Sequence, residues 1–586
     1  MRQSLGLCSP GMGAPKCFIL PRTFLHPAAR LSSGIGCCLL VGLFFADCSG
    51  SRGQSGLSDP QVGSPQHSKQ LRLENPASSL TEHQQILHAL NRLGYGPRPG
   101  DVTRVQQMGL ATWITGQLHP DTIPDDAVVL LLRGYPTLGQ STSDLLKKFP
   151  NNPQPKPNDS AMGPAQNQPP QEVPPERRPF RIIQELQAAR ITRAVMSERQ
   201  LEEVMVDFWL NHFNVYAHKD LVRWTLTSYE RDAIRPHALG RFKDLLLSTA
   251  RHPAMLFYLD NWLSVSAAPG KAGQSSGLNE NYARELMELH TLGVDGGYTE
   301  DDVREVARCF TGWTIDRPRE TGQYLFRLNQ HDRGEKRVLG TVIPAGGGES
   351  DGLRVLDLLA RHPATARFIA TKLARRFVRD DPSPAVIERA AAAFSRTDGD
   401  IRATLEAIIT SADFMSAGAY RAKIKTPLEY VVSAVRVLGG QVSTSGTASD
   451  GAFQLTRTIA GLGQPLYEAQ PPTGYPDTAT AWVNPSALLR RMTFALSLVP
   501  NRVPGVWINL PQQLTGVDRR RSEQVLARLL SVVLSDEVTP KTQDILVHVL
   551  SDPKINHAME DDQGLVNTDA ETLAALVIGS PEFQRR

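Results

Sequence analysis

The run Asn279-Glu280-Asn281-Tyr282-Ala283-Arg284-Glu285-Leu286-Met287-Glu288-Leu289-His290 leaves the chain few ways to fold. At about 100° per residue, Asn281, Arg284, Glu285 and Glu288 share one arc, while Tyr282, Ala283, Leu286, Met287 and Leu289 form the other, with His290 at its centre. A segment divided in this way predicts a helix that buries one face. The glycines after Thr291 can take positive φ and end it. Thr299 then reads as the N-cap of a second helix. Glu300, Asp301 and Asp302 fill its first turn, where the macrodipole favours negative charge, and the helix runs through Val306 and Ala307 towards Phe310-Thr311-Gly312-Trp313. The expectation is a helix pair with a polar seam.

The same 3.6-residue periodicity recurs along most of the chain, at Thr81–Leu93, Pro99–Leu118, Phe180–Ser197, Glu198–Phe213, Ser228–Leu239, Phe242–Ala250 and Pro253–Asn261. It resumes at Leu353–Asp380, Ser383–Ser395, Ile401–Ser411 and Pro427–Leu438. Ala250-Arg251-His252-Pro253-Ala254 returns as Ala360-Arg361-His362-Pro363-Ala364. With Pro near the first helical position, the two copies read as a reused way of starting a helix. A β signal comes from Tyr324 to Ile343, which predicts one hairpin turning through Asp332-Arg333-Gly334. The fold class expected is mainly α: a large multi-helix domain over residues 80–586, a small β-hairpin and Pro-rich flexible insertions. One insertion spans 150–179, where nine prolines lie between residues 150 and 175 among Asn, Gln and Asp. Such a stretch cannot bury enough apolar surface to fold. A second flexible stretch is expected at Ala267–Gly277.

Charge and cysteine both divide the chain near residue 48. The net charge of +3 is carried entirely by Arg2, Lys16, Arg22 and Arg30 against Asp47. The balanced remainder has no overall field to attract nucleic acid, and Arg375-Arg376 reads as a solvated helix end. Five of the 6 cysteines, Cys8, Cys17, Cys37, Cys38 and Cys48, lie in the same segment. Beyond it only Cys309 remains, in a helical pattern that predicts a small buried hydrophobe, so no disulfide framework or Cys-rich zinc site is available there. Residues 31–46 form an apolar stretch preceded by Arg22 and Arg30. They are shorter than the roughly 20 residues a membrane-spanning helix needs. Residues 1–48 are therefore expected to be an export signal and 49–79 a flexible linker. Cys48 would be the lipidated residue of a lipoprotein, although Asp47 departs from the small residue such signals want at that place. The expected location is the periplasm or cell envelope, with membrane contact only through a lipid anchor.

Gly273-Gln274-Ser275-Ser276-Gly277 satisfies G-x-S-x-G but lacks the preceding strand that a nucleophile elbow needs. No P-loop, H-E-x-x-H or paired C-x-x-C is present. The run from Asn279 to Thr299, followed by Asp302-Val303, Glu305, Ala307-Arg308 and Phe310-Thr311-Gly312-Trp313, instead resembles the bacterial family catalogued as domain of unknown function 1800. Asn91-Arg92-Leu93-Gly94-Tyr95-Gly96-Pro97, Phe208-Trp209-Leu210-Asn211-His212-Phe213, His252 to Asn261, His331-Asp332-Arg333-Gly334 and Lys423-Ile424-Lys425-Thr426-Pro427 fit the same family. So does Pro471-Pro472-Thr473-Gly474-Tyr475-Pro476 with Trp482. The resemblance carries no settled activity. It does imply a partner, because members are often encoded beside a protein of unknown-function family 1501, itself similar to sulfatases and alkaline phosphatases.

Two function classes follow. An enzyme, metal-assisted and hydrolytic, would use Glu285, His212, His331 and Asp332 as ligands or acid–base groups, with Asn281, Arg284 and Trp313 on the substrate. Glu285, Glu288 and His212 are the candidate ligands of a divalent metal, since helical bundles build such sites from inward Glu and His. The same residues have a structural reading: Glu285, Glu288 and Arg284 with Arg304 or Arg308 as an ion network, and His212 and His290 as core histidines bonded to backbone carbonyls. The second class is a non-catalytic envelope scaffold, which requires an exposed apolar groove in place of a converging polar site.

Overall fold

Cap chemistry sets where the helices begin. Thr81, Thr299 and Thr426 each accept a hydrogen bond from the backbone N–H three residues on, and the side chains of Gln84, Asp302 and Glu429 in turn accept the N–H of the cap residue itself. These reciprocal boxes satisfy N–H groups that the first helical turn leaves without partners. The repeated Ala-Arg-His-Pro-Ala segment has the same use in both copies. His252 and His362 stand just before Pro253 and Pro363, and each Nδ1 accepts the N–H of the second residue beyond it, Ala254 or Ala364, at 3.2 Å. Burial pushes His252 down to about 3, which keeps that nitrogen free to accept.

The computed structural model describes residues 71, 73, 80–150, 178–266, 277–552, 559–560 and 566–586. The expected leader with Cys48, nearly all of the linker and almost the whole of both flexible stretches lie outside them. The described chain is mainly α-helical, with four two-stranded antiparallel pairs. Its apolar core is continuous from Ile86 to Phe583. Trp209 and Trp313 are among its largest fully buried side chains, and each aromatic of this size removes roughly 150–250 Å² from water. Trp209 gives its indole N–H to the Ala238 carbonyl at 2.9 Å, so its polar atom is satisfied inside the core. Among the described residues no helix is long and apolar enough to cross a membrane.

Several expected helices are divided. Pro99–Leu118 becomes Asp101–Met108 and Leu110–Leu118, because Gly109 adopts φ 87° between them. Leu353–Asp380 becomes Glu349–Arg361 and Pro363–Phe377, since His362 before the proline is extended. The Ser228–Leu239 segment begins earlier, as Val222–Ser228, and widens to a π turn over Tyr229–Ile234 just ahead of Pro236, which has no N–H to give. The Asn281–Glu285 helix likewise continues as a π turn, Leu286–Thr291, in which the Thr291 hydroxyl donates to the Leu286 carbonyl at 2.6 Å.

The single hairpin expected between Tyr324 and Ile343 is instead two. Gln323–Phe326 pairs back with Trp313–Asp316, Trp313 opposite Phe326, while Lys336–Val338 pairs with Thr341–Ile343. Each strand takes the partner closest in sequence, which closes the shortest loop. Asp332 sits in the connection between the two hairpins and not at the tip of one.

Candidate active site

The Gln200–His212 helix carries a dense aromatic and polar end. Phe208 stacks parallel to the His212 ring at 6.3 Å, and Trp209 and Phe213 meet that ring edge-on at 5.4 and 4.5 Å. At the end of the helix and just beyond it, Asn211 and Asn214 clamp a distant loop. Asn214 donates to the carbonyls of Ala469 and Pro471 at 2.9 Å each, while Asn211 donates to the Tyr475 carbonyl at 2.8 Å and accepts its N–H at 2.7 Å. Gly474 is required at the contact: it has φ 69°, and a Cβ there would lie 2.5 Å from the Asn211 carbonyl oxygen. The Pro-Pro-Thr-Gly-Tyr-Pro loop is thus pinned over the end of the helix, further tied by Tyr475 Oη to the Pro465 carbonyl and by Trp482 Nε1 to that of Pro476.

Beneath the loop is a cavity of about 300 Å³, at the small end of the range for ligand sites, roughly 300–1,000 Å³. Its wall includes Asp207, Asn211 and His212 from the helix, Tyr475 and Asp477 from the loop, and Arg190 from the Phe180–Met196 helix. Lys372, Arg375 and Arg376 enter it from the Pro363–Phe377 helix. Their spacing of three and four residues places them side by side.

Lys372 Nζ donates to His212 Nδ1 at 2.8 Å, and His212 Nε2 faces the carbonyl of His290 at 3.1 Å. The carbonyl fixes the tautomer: Nε2 holds the hydrogen, and Nδ1 offers a lone pair to the lysine. Burial, with Lys372 adding to it, lowers His212 well below the usual histidine range, and burial brings His290 to about 3. Burial also draws Lys372 down to about 8, against the attraction of Asp477.

The arginines are held by acids. Asp207 pairs with Arg190 and, at 3.4 Å, with Arg376; Glu429 binds Arg376 at 2.7 Å and Arg586 at 3.0 Å. Burial works to raise the Glu429 carboxyl, yet Arg376 and Arg586 outweigh it and hold it at about 2. Four cationic side chains line the cavity against two carboxylates, Asp207 and Asp477. The Nε–H groups of Arg190 and Arg376 have no acceptor among the described residues. Buried donors in that condition are uncommon.

Of the candidates drawn from sequence, His212 alone lines this cavity. Glu285 is half-buried, with its carboxyl raised by burial and by Glu288. Arg284 bonds Glu288 at 3.4 Å and Glu300 at 2.6 Å, and Asn281 donates to the Leu259 carbonyl at 3.3 Å. Trp313 is fully buried beside Phe310 and Tyr324. His331 is buried too, with Nδ1 against the Thr311 carbonyl at 2.8 Å and Nε2 against Asp351 at 3.1 Å. Asp332 forms a two-point pair with Arg308 at 2.9 and 3.0 Å and accepts the Gly334 N–H. The structure thus places His212 at the cavity, Arg284 with Glu288 and Glu300, and Asp332 with Arg308. Among the described residues no group of three His, Cys, Asp or Glu side chains is placed to hold an ion.

Sequence reasoning missed Lys372, Arg190, Asp207 and Asp477, and took Arg375-Arg376 for a solvated end. Arg376 is in fact 4% exposed. The one available signal was Lys372 spaced three and four residues before those arginines on a helix that also buries Ile369, Leu373 and Phe377.

Fold and site together define a mainly helical protein with a small cation-rich cavity closed by a clamped loop. The family model described as Protein of unknown function (DUF1800) matches residues 88–585, and the chain belongs to that family. No curated protein and no solved structure matches the chain.

Proposed function

We propose that this chain is an exported enzyme that binds a small anionic substrate in the cavity and transfers a proton at it through Lys372. The observation that carries this reading is the Lys372–His212 pair set in a wall of Arg190, Arg375 and Arg376. The guanidinium groups neutralise and orient the anion, which in a partly dried site they do far more strongly than in water. Lys372, near 8, is poised to give or take a proton close to neutral pH. His212 stays neutral and serves as a positioning residue that fixes the direction of the amine. The apolar stretch of residues 31–46 supports export.

Calorimetric titration of the full chain with sulfate, phosphate and citrate tests this reading. Binding is expected, and it should weaken as pH rises through about 8 and fall by roughly tenfold in Lys372→Met, the loss of one ion pair at about 1.4 kcal/mol. Absence of anion binding, or equal binding by the variant, would overturn it.

A second observation favours the scaffold reading. An apolar groove of about 530 Å³, lined in part by Met492, Ile545, Leu546, Val549 and Leu576, lies among the C-terminal helices, and Ile545 in it is 55% exposed. On that reading the groove receives a partner, the sulfatase-like protein of family 1501 being the one the family resemblance implies.

A further inference from the structure

A half-buried amine beside guanidinium groups has a second use besides moving protons. Lys372 Nζ gives one hydrogen to His212 Nδ1 at 2.8 Å, and that ring is itself fixed by the His290 carbonyl at 3.1 Å. An amine held by one of its hydrogens keeps its lone pair for another direction, and Lys372 is part of the cavity wall. Desolvation and neighbouring cations are the two conditions that make a lysine nucleophilic at neutral pH. Both are met here: burial is the main influence on Lys372, and Arg375 works in the same direction.

The rest of the wall narrows the kind of molecule such an amine would meet. Arg375 and Arg376 stand three and four residues along the same helix, which puts their Cβ atoms about 5–6 Å from that of Lys372. An acidic group within a few bonds of the reacting carbon can therefore reach them while that carbon meets Nζ. The volume of about 300 Å³ suits a small molecule.

We propose that Lys372 captures a small carbonyl-bearing anion as an imine within this cavity, a proposal that rests on the anion-site reading above. The neutral amine adds to the carbonyl carbon, forming the N–C bond as the C=O π bond opens, and one amine proton passes to the carbonyl oxygen to give a carbinolamine. Loss of the nitrogen's remaining proton and departure of the hydroxyl as water then form the C=N bond. Amine and carbonyl become imine and water, with no oxidant or reductant. His212 holds the nitrogen in line, and the guanidinium groups hold the carboxylate or phosphate.

The experiment is reductive trapping. The full-length chain is incubated with glyoxylate and cyanoborohydride, and the labelled lysines are mapped by peptide mass. Lys372 is expected to be labelled at least tenfold faster than the exposed Lys147, Lys148 and Lys541, with acetaldehyde, which lacks the acidic group, showing no such preference. Sulfate should slow the labelling of Lys372 and leave the surface lysines unchanged. Because the site is read in the unaltered protein, the result does not depend on a variant that folds. Labelling confined to surface lysines overturns the proposal. If sulfate binds and Lys372 still escapes label, the imine falls and the anion site stands; if sulfate does not bind either, both fall.

Discussion

Two lysine–histidine pairs lie in different parts of the molecule. At the cavity, Lys372 donates to His212 at 2.8 Å, and among the described residues no carboxylate forms an ion pair with either. Near the two hairpins, Lys336 and His331 converge on one oxygen of Asp351, at 2.7 and 3.1 Å, and all three side chains are sealed from solvent. Cys309 lies close enough to this cluster to feel its charges, and burial pushes its thiol up to about 12. The same two residue types thus take opposite parts. Where a carboxylate is supplied and water is shut out, the pair fastens the hairpins to the Glu349–Arg361 helix; where it is withheld and a cavity remains, the lysine is left adjustable.

Removing the carboxylate should show the difference most strongly. Asp351→Asn takes the nearest carboxylate from the buried Lys336 ammonium and leaves it only the longer contact to Asp332 at 3.9 Å, and the expected loss is about 3–5 kcal/mol of unfolding free energy by chemical denaturation. A loss under 1 kcal/mol would mean that the cluster does not fasten the hairpins.

The cavity pair should respond to pH instead. Lys372 has a folded-state value of about 8 against an ordinary 10.5, so between the two the unfolded chain binds more protons and stability rises with pH. Wild type should therefore gain on Lys372→Met across that window, by on the order of 2 kcal/mol once solvent screening is allowed for. A pH-independent difference between the two proteins would show that Lys372 is not depressed.

The smallest effect is expected at the loop over the cavity. Gly474→Ala forces a left-handed residue against the Asn211 carbonyl, costing roughly 1–2 kcal/mol. It should also speed local hydrogen exchange at Tyr475, whose N–H is bonded to Asn211, while leaving the Asp351 cluster unchanged.

Much of the helical framework was legible because its signals are local. Thr299 with Asp302 caps its helix as read, and the two Ala-Arg-His-Pro-Ala segments both start helices through their histidines. Cys309 is buried, as its place in an apolar pattern implied. The hairpin was half legible: its strands were seen, but alternation does not say which neighbour a strand pairs with, and Tyr324 turned back to Ile315. The cavity was the least legible. Its walls come from residues 190, 207–215, 372–376, 426 and 464–478, and only tertiary packing brings these together. Glu285 drew attention as part of a dense polar arc and His331 as part of a polar turn, patterns that buried or surface ion pairs produce as readily as reactive groups do.

The π turn at Leu286–Thr291 has a consequence for chain length. It holds one residue more than an α turn would along the same path, so the segment has an insertion built into its register. Deleting Leu289 would let the turn relax to ordinary α geometry with the residues beyond it kept in register, so that only the carbonyls within the turn move. The His290 carbonyl, which decides which nitrogen of His212 is protonated, would swing away from that ring. A change in residue count on one helix would thereby reset the hydrogen bonding of a lysine more than eighty positions further along the chain.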